Sequence, residues 1–191
     1  MAGIPYPTSD SSPITGENLL TMTAGFPEDN PWGDRQLDES VEMLKELMLE
    51  GPSFSNPPAT AFEYSNTGYA LLGLIISNVS GVPYQDFITK EILQPLGMSS
   101  TYWEYEEVPE GRLAIGYARD SLTLAPMLHD GSYGAMGGLM TSIEDFRKYV
   151  SFHLSAWPPR SGPEIRHRLQ RLAAKHRLSG RLDERWGARQ H

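Results

Sequence analysis

The chain has 191 residues, of which 39% are hydrophobic and 21% charged, enough for one domain with a sizeable core. The absence of cysteine excludes disulfides, thiol catalysis and thiolate metal sites. The five histidines do not stand at metal-ligand spacing, so we expect no metal site. Residues 1–155 carry seven cationic and 21 acidic side chains, and an acidic body of this kind is not expected to bind nucleic acid.

Nothing in the sequence indicates a membrane or an export signal. The first residues lack a cationic start followed by an apolar stretch, and the longest apolar run, residues 69–76, is too short to cross a bilayer. We therefore expect neither a signal peptide nor a transmembrane segment in this sequence, and it assigns no compartment.

In chain order, a proline- and serine-rich loop precedes a short helix that Thr15 is placed to cap and that ends near Gly25. Apolar spacing then predicts a helix over residues 38–50. The next predicted helix, residues 67–80, is apolar on almost every side, which is typical of a buried helix. A fourth is predicted over residues 84–94.

The second half is less regular. Residues 101–103 fit a short strand or an extended segment, and residues 104–133 predict no element. Residues 134–138 form a glycine-rich turn. Thr141 and Glu144 have capping-box spacing and predict a last helix, whose apolar stripe includes Phe146, Val150 and His153 and is expected to be buried.

The residues Tyr64-Ser65-Asn66 stand where a loop enters the 67–80 helix. A phenol, a hydroxyl and a carboxamide at such a junction can converge on one cleft and suit acyl-transfer chemistry. Taken alone, the same trio fits a plain helix entry in which Ser65 or Asn66 is the cap, and capping signatures are common. No Ser or Thr stands three residues before any of the four lysines, so a serine activated by a lysine one turn away is not encoded.

Four ordered blocks together decide between these interpretations. They are residues 14–25, residues 64–69 (Tyr-Ser-Asn-Thr-Gly-Tyr), residues 92–98 and residues 137–142 (Gly-Gly-Leu-Met-Thr-Ser). In this order they resemble the serine β-lactamase and penicillin-binding protein family, in its class C, DD-peptidase and esterase-like branch, over about residues 14–157.

The resemblance implies a role for particular residues. Tyr64 would be the catalytic proton-transfer residue, beside a serine nucleophile. Asn66 would contact the substrate amide or acyl side chain, and Ser65, Gly137 and Gly138 would line the same substrate-binding cleft. From the residues alone, the glycines fit a cleft wall and a plain loop equally well.

The resemblance also implies an α+β fold of the β-lactamase/transpeptidase type, of which this chain would be mostly the helical lobe, with most sheet strands missing. Its chemistry is hydrolysis through an acyl-enzyme formed with a lactam, a D-Ala peptide or an ester, without cofactor or metal. Because the Ser-x-x-Lys motif is absent, we expect the chain alone to be inactive. The partner would be a small-molecule or peptide carbonyl substrate, and the oligomeric state is left open. The alternative is a non-catalytic helical binding module of the same fold.

Residues 158–191 differ from the rest. Residues 156–191 hold nine cations, eight of them arginine, against three acidic residues. A basic amphipathic helix here could contact nucleic acid or an anionic membrane. We favour a second explanation, that the segment is not native family sequence but an out-of-frame translation of GC-rich coding sequence. The predicted boundary therefore separates a partial β-lactamase-like domain, residues 1–157, from this tail.

Overall fold

The computed structural model describes residues 12–30, 32–118 and 122–155 of the chain. It divides into two compact units, Met1–Ser142 and Ile143–His191. The predicted arginine-rich tail lies outside the described residues. No helix in the described part of the chain is both long and apolar enough to span a bilayer.

The first unit is built from helices and short turns. Its helices are α1 (Gly16–Leu20), α2 (Val41–Glu50), α3 (Asn66–Ser80) and α4 (Tyr84–Ile88), the last continued by a π-helical turn, Thr89–Leu93. The described residues of this unit also form three 3-10 turns: Gly33–Gln36 lies between α1 and α2, and Tyr105–Glu107 and Gly134–Met136 follow the π-helical turn. The strands β1 (Thr101–Tyr102) and β2 (Met140–Thr141) pair antiparallel.

Helix α3 is the centre of this unit. It contacts α1, α4 and the Gly134–Met136 turn. Gly73 permits the close approach of that turn, because a Cβ at this position would lie 2.7 Å from the Ala135 Cβ. Eight buried residues form the core around α3: Leu19, Ala24, Phe26, Leu44, Ala70, Leu71, Leu74 and Tyr133.

The expectation that α3 is buried all round was only partly right. Its first half is buried, but Ile75 and Val79 towards its end are exposed. The helix ends where Gly81 adopts a left-handed conformation (φ 78°) and donates its N–H to the Ser77 carbonyl. Glycine reaches this conformation without the steric cost that a Cβ imposes.

Two other predicted helix starts were misplaced. The second helix begins at Val41 rather than at residue 38, because Ser40 is its N-cap and accepts a hydrogen bond from the Met43 N–H at 3.1 Å. Thr141 caps no helix. It lies in β2, where its hydroxyl is 2.8 Å from that of Thr101 on β1.

The described part of the second unit is dominated by α5 (Ile143–Leu154). Its predicted apolar stripe is exposed, which contradicts the expectation that these side chains and His153 are buried. A single helix can bury such a stripe only against another element. Instead, the His153 ring packs edge-on against the Tyr149 ring, with centroids 4.5 Å apart.

Candidate active site

The N-terminus of α3 is capped from two directions. Ser65 is the N-cap, and its hydroxyl accepts a hydrogen bond from the Gly68 N–H at 3.1 Å. The Asp29 carboxylate, on a loop 36 residues earlier, accepts the N–H groups of Asn66 and Thr67 at 2.8 Å each. Three first-turn donors are thus satisfied, and a negative charge lies where the helix dipole favours it.

Asn66 is held just as firmly. Its side-chain Nδ2 donates to the Asn30 Oδ1 at 2.8 Å, and the residue is only 3% exposed. Gly33 lies against it so closely that an added Cβ would stand 2.6 Å from the Asn66 Cβ. The structure therefore confines this carboxamide between the Asp29–Asn30 loop and the following 3-10 turn.

Tyr64 has a different environment. The residue is 37% exposed, and among the described residues its phenol has no hydrogen-bond partner. Its position is fixed by its neighbours instead. Glu63 accepts hydrogen bonds from Ser55 at 2.9 Å and Asn56 at 2.8 Å, and Ser65 caps the helix. A phenol with an open side and an anchored backbone is free to meet a ligand.

The glycine-rich turn is organised by Asp130. The Asp130 Oδ2 accepts hydrogen bonds from Tyr84 Oη at 2.9 Å and Gln85 Nε2 at 2.6 Å. Its other oxygen, Oδ1, is buried without a partner among the described residues, and it occupies the space where a Cβ on Gly134 or Gly138 would lie. Burial raises the pKa of the Asp130 carboxyl, and burial followed by the nearby carboxylate raises that of Tyr84.

Tyr133 connects this turn to the α3 N-terminus. It is fully buried, its hydroxyl lies 3.4 Å from the Thr67 hydroxyl, and its ring meets the Trp32 ring edge-on. This buried contact joins the turn before Gly137 and Gly138 to the helix that follows Tyr64, in addition to the close approach of Ala135 to Gly73. The cleft-lining roles of Ser65, Asn66 and both glycines stay predictions.

The structure also shows residues that the sequence did not point to. The Tyr64 segment, residues 64–66, is held in place by Asp29, Asn30 and Glu63. The contacts of Asp29 and Asn30, and that of Glu63 with Glu28, join residues 35 to 38 positions apart. The other contacts of Glu63 are local. Turn-forming types at positions 29 and 30 were the one local signal. Lys148 forms an ion pair with Asp145, and the two side chains are 2.6 Å apart. Asp145 stands three residues before this lysine, which is the position that the serine has in a Ser-x-x-Lys motif.

A separate cluster surrounds His129. Its Nδ1 lies 2.9 Å from Glu104 and 3.8 Å from Glu106, and its Nε2 lies 3.4 Å from the Tyr105 hydroxyl. The hydrogen bond to Glu104 raises the pKa of His129, with smaller contributions from Glu106 and Asp38. The two glutamates and His129 hold ligand atoms within 4.8 Å of one another, but the imidazole is already engaged. The absence of a metal stays a prediction.

The chain is similar to known proteins over most of its length. The family profile described as Beta-lactamase matches residues 4–189. Protein flp of Staphylococcus aureus (strain NCTC 8325 / PS 47) is 32% identical over 152 residues, which is 76% of this chain and 30% of that protein. The chain thus spans less than a third of this relative.

Solved structures agree with the sequence matches. The octameric penicillin-binding protein homologue from Pyrococcus abyssi superposes with a TM-score of 0.61 at 34% identity, over 76% of this chain and 35% of that one. The D-amino acid amidase from Ochrobactrum anthropi SV3 gives 0.59 at 26% identity, over 75% and 44%.

The predicted fold class is confirmed by these neighbours: the few short strands and many helices are what a partial β-lactamase/transpeptidase-like fold contains. The division at residues 157 and 158 stays a prediction. With a family profile that covers nearly all of its residues, and with the same relationship visible in structure, this chain belongs to the beta-lactamase family.

Proposed function

We propose that this chain supplies the proton-transfer side of a serine acyl-hydrolase site and carries no nucleophile of its own. In that site a serine hydroxyl attacks a lactam, D-amino acid amide, peptide or ester carbonyl, and water then hydrolyses the acyl-enzyme. Tyr64 would take and return the proton of the serine hydroxyl. Asn66, Ser65, Gly137 and Gly138 would line the substrate side.

One observation carries the proposal: Tyr64 is the residue of the Tyr-Ser-Asn motif whose side chain forms no hydrogen bond within the described part of the chain. Ser65 and Asn66 satisfy helix and loop contacts, whereas the Tyr64 phenol has no partner among the described residues and is partly open. A free tyrosine has a pKa of about 10. A tyrosine that acts as a base near neutral pH needs a pKa about three units lower, which corresponds to about 4 kcal/mol of stabilisation of the phenolate relative to the phenol. Cationic groups that would supply this difference are a further requirement of the complete site.

The 191-residue chain itself gives the first test. Loss of the nucleophile of a serine hydrolase costs on the order of 10⁶ in turnover. We therefore expect no hydrolysis of nitrocefin or p-nitrophenyl acetate above buffer, and no covalent adduct with a fluorescent penicillin or a fluorophosphonate. A stoichiometric adduct on this chain would overturn the proposal, because it would show a nucleophile that we do not assign.

A chimera tests the role of Tyr64 directly. In it, residues 14–157 replace the matching segment of the D-amino acid amidase, which contributes the remaining parts of the site. We expect Tyr64→Phe to reduce kcat for a D-amino acid amide by about 10²–10⁴ in this chimera, the usual loss on removing a general acid or base. Tyr149→Phe is the matched control, because Tyr149 is likewise 37% exposed and lies on α5.

The alternative, a non-catalytic binding module, makes a different prediction. In that case the chimera would bind substrate reversibly without a covalent intermediate, and Tyr64→Phe would leave any residual turnover unchanged. An unchanged kcat in an active chimera would therefore remove Tyr64 from the mechanism.

A further inference from the structure

A hollow lies against the β1–β2 ladder, and Tyr64 is not among its lining residues. Its volume is about 270 Å³. The Ser142 N–H donates to the Ser100 carbonyl at 3.1 Å and closes one wall, next to the paired strands. Ligand cavities commonly measure about 300–1,000 Å³, so this hollow would hold only a small molecule.

The lining is mostly apolar. Val108, Leu113, Met127 and Met140 supply aliphatic and thioether surface from the 3-10 turn region, the following loop and β2. Methionine is flexible and polarisable, and it adapts to ligands of irregular shape. An apolar floor with a few polar groups at the edge is the usual composition of a small-molecule site.

Arg112 is the one charged residue in the lining. Its guanidinium forms no ion pair or hydrogen bond with another side chain in the described part of the chain. Lys90 and Lys148 pair with carboxylates, whereas Arg35, Lys45 and Arg147 resemble Arg112 in forming no ion pair in the described part of the chain. The lining contains no acidic residue that could neutralise Arg112.

We propose that this hollow binds a small monocarboxylic acid with an apolar body. The guanidinium presents a planar fork of donors that matches a carboxylate, and the apolar lining accepts the chain or ring behind it. The hydroxyl-bearing residues Ser100 and Thr141 also line the hollow. None of the residues proposed for acyl transfer lines this hollow, so the proposal does not depend on that function.

The test uses the full 191-residue chain and hexanoate as the probe. For so few ligand atoms we expect a Kd of about 1 mM. Titration up to about 20 mM at low salt, followed by ¹H–¹⁵N correlation spectra, should give saturable shifts at the lining residues. Hexanamide, which has the same body without the charge, should bind at least about threefold more weakly.

Variants separate the charge from the fold. Arg112→Gln should weaken hexanoate at least about threefold and leave hexanamide unchanged, and Arg112→Lys should retain part of the preference for the acid. Arg35→Gln, which removes an exposed arginine outside the lining, should have no effect. The proposal is overturned if shifts do not saturate, if acid and amide bind equally, or if Arg112→Gln leaves the Kd of hexanoate unchanged.

Discussion

The Asp29 carboxylate should be the most important single group for holding the Tyr64 segment in place. Asp29→Ala removes two hydrogen bonds of 2.8 Å to the N–H groups of Asn66 and Thr67, together with the charge at the α3 N-terminus. Loss of a capping bond costs about 0.5–2 kcal/mol, and a charge at a helix end contributes about 0.3–1 kcal/mol. We therefore expect a decrease of about 2–4 kcal/mol in the free energy of unfolding.

This loss is large against the total of about 5–15 kcal/mol that a typical domain has. Asp29→Asn should cost about half as much, because the carboxamide keeps one acceptor oxygen and loses the charge. Urea unfolding of the full chain, followed by tryptophan fluorescence and by circular dichroism at the helical band, measures both values.

The control is Glu46→Ala, which removes an exposed carboxylate from α2 and should change stability by less than about 0.5 kcal/mol. If Asp29→Ala falls within this range, or if Asp29→Asn is as stable as the parent chain, the carboxylate does not hold the helix start. Tyr64 would then not be anchored through the start of α3.

Three further predictions concern the same region and its surroundings. Gly33→Ala should lower the free energy of unfolding by about 1–3 kcal/mol, since the new methyl would lie 2.6 Å from the Asn66 Cβ. Gly138→Ala should lower the free energy of unfolding by a similar amount, because its methyl would overlap the Asp130 carboxylate. In a double-mutant cycle with Asp130→Ala, the coupling free energy between the two changes should be at least about 0.5 kcal/mol in the stabilising direction. NMR should show that His129 titrates above the ordinary histidine pKa of about 6.5. Protonated His129 then stabilises the folded chain below about pH 6.5, and this stabilisation is lost as the pH rises through the raised pKa.

Matched changes provide the controls. Gly16→Ala and Gly137→Ala should be tolerated, because a Cβ at either position meets no atom within 4 Å. Glu104→Gln should bring the pKa of His129 back towards its ordinary value. A strongly destabilised Gly137→Ala, or a His129 pKa unaffected by Glu104→Gln, would contradict the geometry described above.

The helices could be predicted from the sequence because their signals are local. Ser65 and the apolar run after it predict α3 to within one residue, and Thr15 predicts the start of α1. The contacts of Asp29 and Asn30 with the α3 N-terminus could not be predicted, since they join residues 36 to 38 positions apart. The exposed stripe of α5 was missed for a related reason: periodicity shows which face is apolar, and not whether anything covers it.

The pairing of Asn66 with Asn30 has a consequence for selectivity. One of the two N–H groups of Nδ2 is donated to Asn30, while Oδ1 accepts no hydrogen bond from the described part of the chain. If Asn66 contacts the substrate as proposed, the oxygen would favour a compound that offers an N–H at this position, and the bond to Asn30 would leave the carboxamide with a single remaining donor.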